Sequence, residues 1–202
     1  IDLDLINQRI APMPIEPRLS IGSYDRGLDH MTITTTSQCP HEVQCMLAQS
    51  VFGVSETKLD LIAPDIGGGF GMKSYVYPED VTVLWAARKL EREVAWKSDR
   101  SEAFLSDTGA RDHKTHAELA LDADHRFLAL RIHTDANMGA YLSQHAPAVP
   151  TIYYSYVAPG PYRFDAAFIR TRNVFTHSTP IDAYRGAGRS EAVYVTERLI
   201  DH

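Results

Sequence analysis

The chain has 202 residues, enough for one large domain or two small lobes. Apolar residues make up 44 % and charged residues 23 %, the ordinary balance of a soluble globular protein. A net charge of −6 without a Lys/Arg-rich run argues against a phosphate-backbone binder, and no apolar run reaches membrane-span length.

Asp2, Asp4 and Arg9 interrupt the apolar residues of Ile1–Ile10, so this segment is not a signal peptide. There is no initiating Met, and the chain stops at Asp201-His202 inside a helix-like run. The expectation is a piece of a longer polypeptide. Two cysteines, Cys39 and Cys45, are too few for a disulfide framework and lack a C-x-x-C spacing. They read as small apolar residues in a reducing cytoplasm.

Residues 1–31 read as turn-rich, with Pro12, Pro14 and Pro17 breaking any helix through Ile10–Arg18. Met31–Thr36 is β-branched and predicts a strand. Pro40 can open a helix; Glu42–Phe52 then carries Val43, Leu47 and Val51 on one side, and Gly53 supplies a stop. Lys58–Ala63 reads as the next strand. Pro78–Leu90 is the clearest helix: Pro first, Glu79 and Asp80 in its first turn, Arg88 and Lys89 in its last. Val81, Leu84, Trp85 and Arg88 have the spacing of one buried stripe. Glu93–Lys97 reads as a short strand and 98–102 as a polar break. Lys114–Leu121 and Phe127–Asp135 alternate around a polar loop, as in a hairpin. Residues 137–165 read as irregular packed loop, Ala166–Val174 as a strand and Ser190–Ile200 as a helix. The expected class is α+β, with mixed sheets and helices packed on one side.

Asp65-Ile66-Gly67-Gly68-Gly69-Phe70-Gly71-Met72-Lys73 follows the strand ending at Ala63. Glycines pack nothing and lose the most backbone entropy on ordering. They suit a place where backbone N–H groups must approach a ligand without side chains in the way. A plain tight turn remains the other reading. The spacing is neither a dinucleotide fingerprint nor a Walker loop. A second loop, Ala183-Tyr184-Arg185-Gly186-Ala187-Gly188-Arg189-Ser190, places two arginines before a helix start, where anions are favoured. Local capping or ion pairing by those arginines is the alternative.

Other candidates are weaker. His113 and His116, three apart on a strand, face opposite sides and make a poor metal pair. Arg111-Asp112 has the look of an ion pair near a turn. Gln144-His145 could line a pocket or lie on the surface. No Ser/His/Asp order and no carboxylate pair stands out.

Taken as an ordered set, these segments resemble the molybdenum-cofactor-binding large subunit of the xanthine dehydrogenase/aldehyde oxidase family. The nearest branch is that of aerobic carbon monoxide dehydrogenase large chains. The resemblance runs through Pro14-Ile15-Glu16-Pro17-Arg18, Thr36-Ser37-Gln38-Cys39-Pro40-His41, the glycine loop from Pro64 to Lys73, and Tyr77-Pro78-Glu79. It continues through Asp99-Arg100-Ser101-Glu102, Ala110-Arg111-Asp112, Gly139-Ala140-Tyr141 and the loop from Ala183 to Arg189. It implies that residues 1–202 are a fragment of the molybdenum-cofactor-binding region, without a complete second domain. It implies that Gly68, Gly69, Phe70, Gly71 and Arg185 bind the cofactor and that Gly186 and Ala187 line the substrate pocket. The metal would be held by the pterin, so no protein metal ligand is expected. The general-base glutamate would lie beyond His202, leaving no catalytic residue in this segment.

The cofactor implied is molybdenum-molybdopterin, in its cytosine dinucleotide form. Electrons would leave through 2Fe-2S clusters to FAD on partner subunits or domains. The reaction type is hydroxylation of an electrophilic carbon. Gly186 stands where carbon monoxide-oxidising members carry a copper-holding cysteine, which argues against that substrate. Ser74 replaces a glutamate and Ala187 a phenylalanine of purine-oxidising members, which argues against purines. An aldehyde or aromatic heterocycle fits the roomier pocket. The alternatives are an inactive assembly fragment that binds partner subunits without cofactor, and a stand-alone module for a phosphate ligand.

Overall fold

The computed structural model describes residues 1–202. Eight strands and four α-helices follow in order: β1 (Asp2–Asn7), β2 (Leu19–Asp25), β3 (His30–Thr35), α1 (Pro40–Cys45), β4 (Leu59–Ile62), α2 (Pro78–Leu90), β5 (Val94–Lys97), α3 (Arg100–Ser106), β6 (His113–Leu121), β7 (Phe127–Gly139), β8 (Ala166–Phe175) and α4 (Arg189–Asp201). The chain divides into two compact units, one of Ile1–Pro12 with Thr108–His202 and one of Met13–Asp107. The α+β class with mixed sheets and packed helices is as expected.

In the unit Met13–Asp107 the sheet order is β4-β3-β2-β5. β2 pairs antiparallel with β3 and β5, while β3 pairs parallel with β4. A parallel pair needs a crossover. Here α1, continued by a π-helical stretch Met46–Phe52, supplies it and stops at Gly53 in the left-handed conformation. Met31, Ile33, Val43, Leu47, Leu59, Val83 and Leu84 form the core beneath these helices.

α2 has the expected ends, but its buried face is Asp80, Val83, Leu84 and Ala87. Of the expected stripe, Leu84 is buried and Val81 packs partly buried against the core, but Trp85 is 54 % exposed and Arg88 is exposed, so the buried face lies to one side of the expected one. Asp80 lies on that buried face. Its carboxylate points inward, accepting from the Ser20 hydroxyl, from Thr35 Oγ1 at 3.1 Å and from the Tyr77 N–H at 3.1 Å. Burial pushes the Asp80 carboxyl above its usual range, and those hydrogen bonds oppose the push.

The reading of 1–31 as turn-rich is also corrected, since β1 and β2 lie there. β2 escapes the usual pattern because small residues, Ser20 and Gly22, face the core. A Cβ at Gly22 would sit 2.8 Å from the backbone of Val83. Gly22→Val therefore forces α2 off the sheet, at a cost of about 1–3 kcal/mol. Urea unfolding of the intact protein should show the lower midpoint with an unchanged slope. Residues 98–102 are not a plain break either. Asp99 Oδ1 accepts from the Glu102 N–H at 2.7 Å and caps α3.

In the other unit the order is β1-β6-β7-β8, with β7 and β8 parallel and the remaining pairs antiparallel. β6 alternates buried and exposed residues, so one face is covered. α4 covers it through Ala192, Val195 and Leu199, packed with Leu119, Leu130, Ile132 and Tyr154. The stretch 137–165 is more ordered than expected: β7 runs to Gly139, and Val149–Tyr153 forms a π-helical turn. A smaller cluster of Ala136, Met138, Ala146 and Ile181 packs beside it.

Candidate functional site

The glycine loop is clamped at three points within its own unit. Glu16 Oε2 accepts from the Gly67 N–H at 2.8 Å and from Lys73 Nζ at 2.9 Å, so one carboxylate ties both ends. The Lys73 side chain is 0 % exposed. Gln38 Oε1 accepts from the N–H groups of Gly71 at 2.9 Å and Lys73 at 3.3 Å. The Gln38 N–H donates to the Lys73 carbonyl at 2.8 Å. Burial pushes Glu16 upward, yet the Lys73 and Gly67 hydrogen bonds and the Lys73 charge bring it below its usual range.

Between the clamps the backbone is contorted. Gly68, Phe70 and Gly71 have φ of 93°, 55° and 106°. The Phe70 conformation is left-handed for a residue with a side chain, a strain that surroundings must hold. At Gly69 a Cβ would overlap the Gln38 carboxamide, so a side chain there would displace that clamp. The N–H groups of Gly68 and Gly69 find no acceptor within the chain. Gly71 is different, because its N–H is already given to Gln38. Glu16 and Gln38 did not emerge from spacing as site residues; they appeared only within the motifs that carry the family resemblance.

The arginine loop belongs to the other unit. Its backbone carbonyls are taken up internally: Tyr184 O by the Ala187 N–H at 2.8 Å, Gly186 O by the Arg189 N–H at 3.1 Å. Arg189 also reaches Gly186 O with its side chain and lies 5.1 Å over the Tyr153 ring. Arg189 thus plays the local role held open for these arginines. Arg185 does not; its guanidinium is exposed and makes no hydrogen bond or ion pair within the chain. Gly186 and the left-handed Ala187 (φ 43°) form the turn that separates the two arginines.

The remaining candidates resolve simply. His113 is buried, edge-on to Tyr154, while His116 is exposed and pairs with Asp4 at 2.9 Å, so the two do face opposite sides. Burial holds the His113 imidazole below its usual range. Arg111 and Asp112 are not an ion pair with each other. Arg111 pairs with Glu191 at 2.7 Å, and Asp112 accepts from Asn137 Nδ2 at 2.7 Å. The His145 N–H donates to Asp182 Oδ2 at 3.0 Å. Both cysteines are free thiols. No helix is long and apolar enough to cross a membrane.

Each of the two α+β units carries one glycine-bearing loop, the first with unpartnered amides at Gly68 and Gly69 and the second with the exposed Arg185 before a helix. The chain belongs to the molybdopterin cofactor-binding domain family, whose model matches residues 1–202. It is 36 % identical over 196 residues to the gamma subunit of the 6-hydroxypseudooxynicotine dehydrogenase complex of Paenarthrobacter nicotinovorans, covering 97 % of this chain and 24 % of that one. It is 35 % identical over 198 residues to the carbon monoxide dehydrogenase large chain of Hydrogenophaga pseudoflava, covering 96 % of this chain and 24 % of that one. The fold superposes on quinoline 2-oxidoreductase from Pseudomonas putida 86 with a TM-score of 0.95 at 32 % identity, over 100 % of this chain and 26 % of that one. The chain therefore spans about a quarter of the length of these relatives.

The residues present fit a molybdopterin. The loop offers two backbone donors with no internal acceptor, at Gly68 and Gly69. Backbone donors of this kind suit the oxygen and nitrogen acceptors of an organic cofactor.

Proposed function

We propose that this chain supplies two active-site loops of a molybdenum hydroxylase large subunit. Gly68, Gly69, Phe70 and Gly71 form one cofactor-contacting loop, and Arg185 serves the other. The carrying observation is the pair of unpartnered amides at Gly68 and Gly69, held open by Glu16, Lys73 and Gln38. Buried backbone donors are nearly always satisfied, so the exception at buried Gly69 on a clamped loop points to a ligand acceptor, with the half-buried Gly68 amide beside it. The bound molybdenum cofactor would supply a two-electron oxidation with oxygen drawn from water. With the cofactor bound, the Gly68 and Gly69 amides would donate hydrogen bonds to it and Phe70 would exclude water on one side, while Arg185 on its own loop would add a positive charge.

The substrate reading is an aldehyde or an aromatic heterocycle, admitted by the small residues Gly186 and Ala187. Gly186 offers no thiolate, which disfavours carbon monoxide. The base would come from the remainder of the large subunit. The cytosine dinucleotide form of the pterin, 2Fe-2S and FAD on partner subunits, and a cytoplasmic setting complete the proposal. Support for a multi-subunit context comes from the relatives' names as a complex subunit and a large chain.

Arg185→Ala tests this in the intact protein. Turnover of aldehydes and quinoline-type heterocycles should fall about 10²-fold, the usual cost of one lost electrostatic donor. Molybdenum and pterin content should fall with it while the far-ultraviolet circular dichroism stays unchanged. Full cofactor content and full turnover in the variant would refute the assignment of Arg185.

A further inference from the structure

We propose that Arg111 is a positioning residue for the Arg185 loop: it holds the loop's carbonyls inward and so leaves the Arg185 guanidinium presented outward. The proposal rests on the reading that Arg185 serves the cofactor, but its geometry stands by itself within one unit.

Arg111 Nη2 donates to the Arg185 carbonyl at 3.0 Å and Nη1 to the Tyr184 carbonyl at 3.4 Å. The Arg111 guanidinium also lies 5.2 Å over the Tyr184 ring. One side chain thus touches consecutive peptide units of the loop, immediately before Gly186. The guanidinium is itself fixed by Glu191 Oε1 at 2.7 Å, and the Glu191 side chain is 1 % exposed. Glu191 lies in the first turn of α4, so the loop and the helix that follows it share one anchor.

The base of the anchor is fixed as well. Arg111 and Asp112 both have left-handed backbones, φ 66° and 67°. Two consecutive residues of that kind persist only where the surroundings over-determine them. Asp112 supplies that constraint: its carbonyl accepts from the Asn137 N–H at 3.1 Å and its carboxylate from Asn137 Nδ2 at 2.7 Å. The effect is to aim the Arg111 side chain under the loop. Ser190 Oγ donates to the same Arg185 carbonyl at 3.2 Å, giving that oxygen a second restraint. A forked guanidinium can meet Glu191 and two carbonyls at once; a lysine ammonium in its place keeps the charge and loses the fork.

Arg111→Lys and Ser190→Ala, singly and together in the intact protein, test the proposal. Trypsin cleavage at the Arg185–Gly186 bond, followed by mass spectrometry relative to all other sites, reports loop restraint without any cofactor chemistry. Arg111→Lys should raise cleavage at that bond about tenfold over the other sites, the size expected for losing a hydrogen bond from a charged donor. The double variant should exceed either single one, and kcat should fall more than KM rises. Unchanged cleavage at Arg185–Gly186, or an equal rise at every site, would overturn the proposal. If Arg111→Lys does not fold, Ser190→Ala carries the same test on the same carbonyl. Loosening of the bond with unchanged cofactor content and kcat would uphold the anchoring role and count instead against Arg185 as a cofactor contact.

Discussion

Glu16→Ala will lower the melting temperature of the intact protein by on the order of 10 °C, from a loss of about 3–5 kcal/mol. The reason is Lys73. Its ammonium has no exposed surface and Glu16 is its ion-pair partner at 2.9 Å. Removing the carboxylate strands a buried charge, which costs far more than the pair itself contributes. The Gly67 N–H loses its acceptor in the same step. Glu16→Gln keeps an acceptor oxygen and should cost less, about 1.5–3 kcal/mol. The pH dependence has a definite sign. The folded-state Glu16 lies below its ordinary value of 4.5, so its contribution is complete above pH 4.5 and is lost as pH falls through the folded value. The wild type should therefore show an acid-side loss of stability that Glu16→Gln lacks, measurable by thermal unfolding across pH 3–6.

Arg18→Met should destabilise by a similar amount, about 3–5 kcal/mol. The Arg18 side chain is 5 % exposed and donates to Asp107 at 2.6 Å, Glu79 at 2.9 Å and Ser106 at 3.2 Å. Its guanidinium lies 3.6 Å over the Tyr77 ring and 5.1 Å from that of Trp96. Methionine fills the slot but leaves Asp107, whose side chain is 9 % exposed, without its cation. Burial already pushes the Asp107 carboxyl up, and the Arg18 hydrogen bond is the strongest opposing influence. In the variant that opposition is gone, so the penalty is largest at neutral pH. It should shrink as pH falls and the carboxyl takes up a proton. A penalty independent of pH would place the cost in packing and not in the stranded charge.

The parts of the fold legible in the chain were those written in local chemistry. Pro78, the acidic first turn and the basic last turn gave α2 its ends, and Gly53 gave the crossover its stop. What stayed hidden depends on partners distant in sequence. Asp80 lies on the buried face of α2, where Ser20 and Thr35, distant in sequence, hydrogen-bond its carboxylate. β2 read as loop because a helix backbone lies against Gly22 where an apolar side chain is usual. The same division holds at the site. The two loops were visible as glycine runs. The clamps behind them join residues 57 and 74 positions apart, Glu16 to Lys73 and Arg111 to Arg185, and no spacing rule links such pairs.

The most direct measurement is a crystal structure of the intact protein isolated with its molybdenum cofactor. The expected result has the Gly68 and Gly69 amides within hydrogen-bonding distance of acceptor atoms on that cofactor, with the Arg185 guanidinium in contact with it. A cofactor seated elsewhere, with those two amides bonded only to water, would contradict the account.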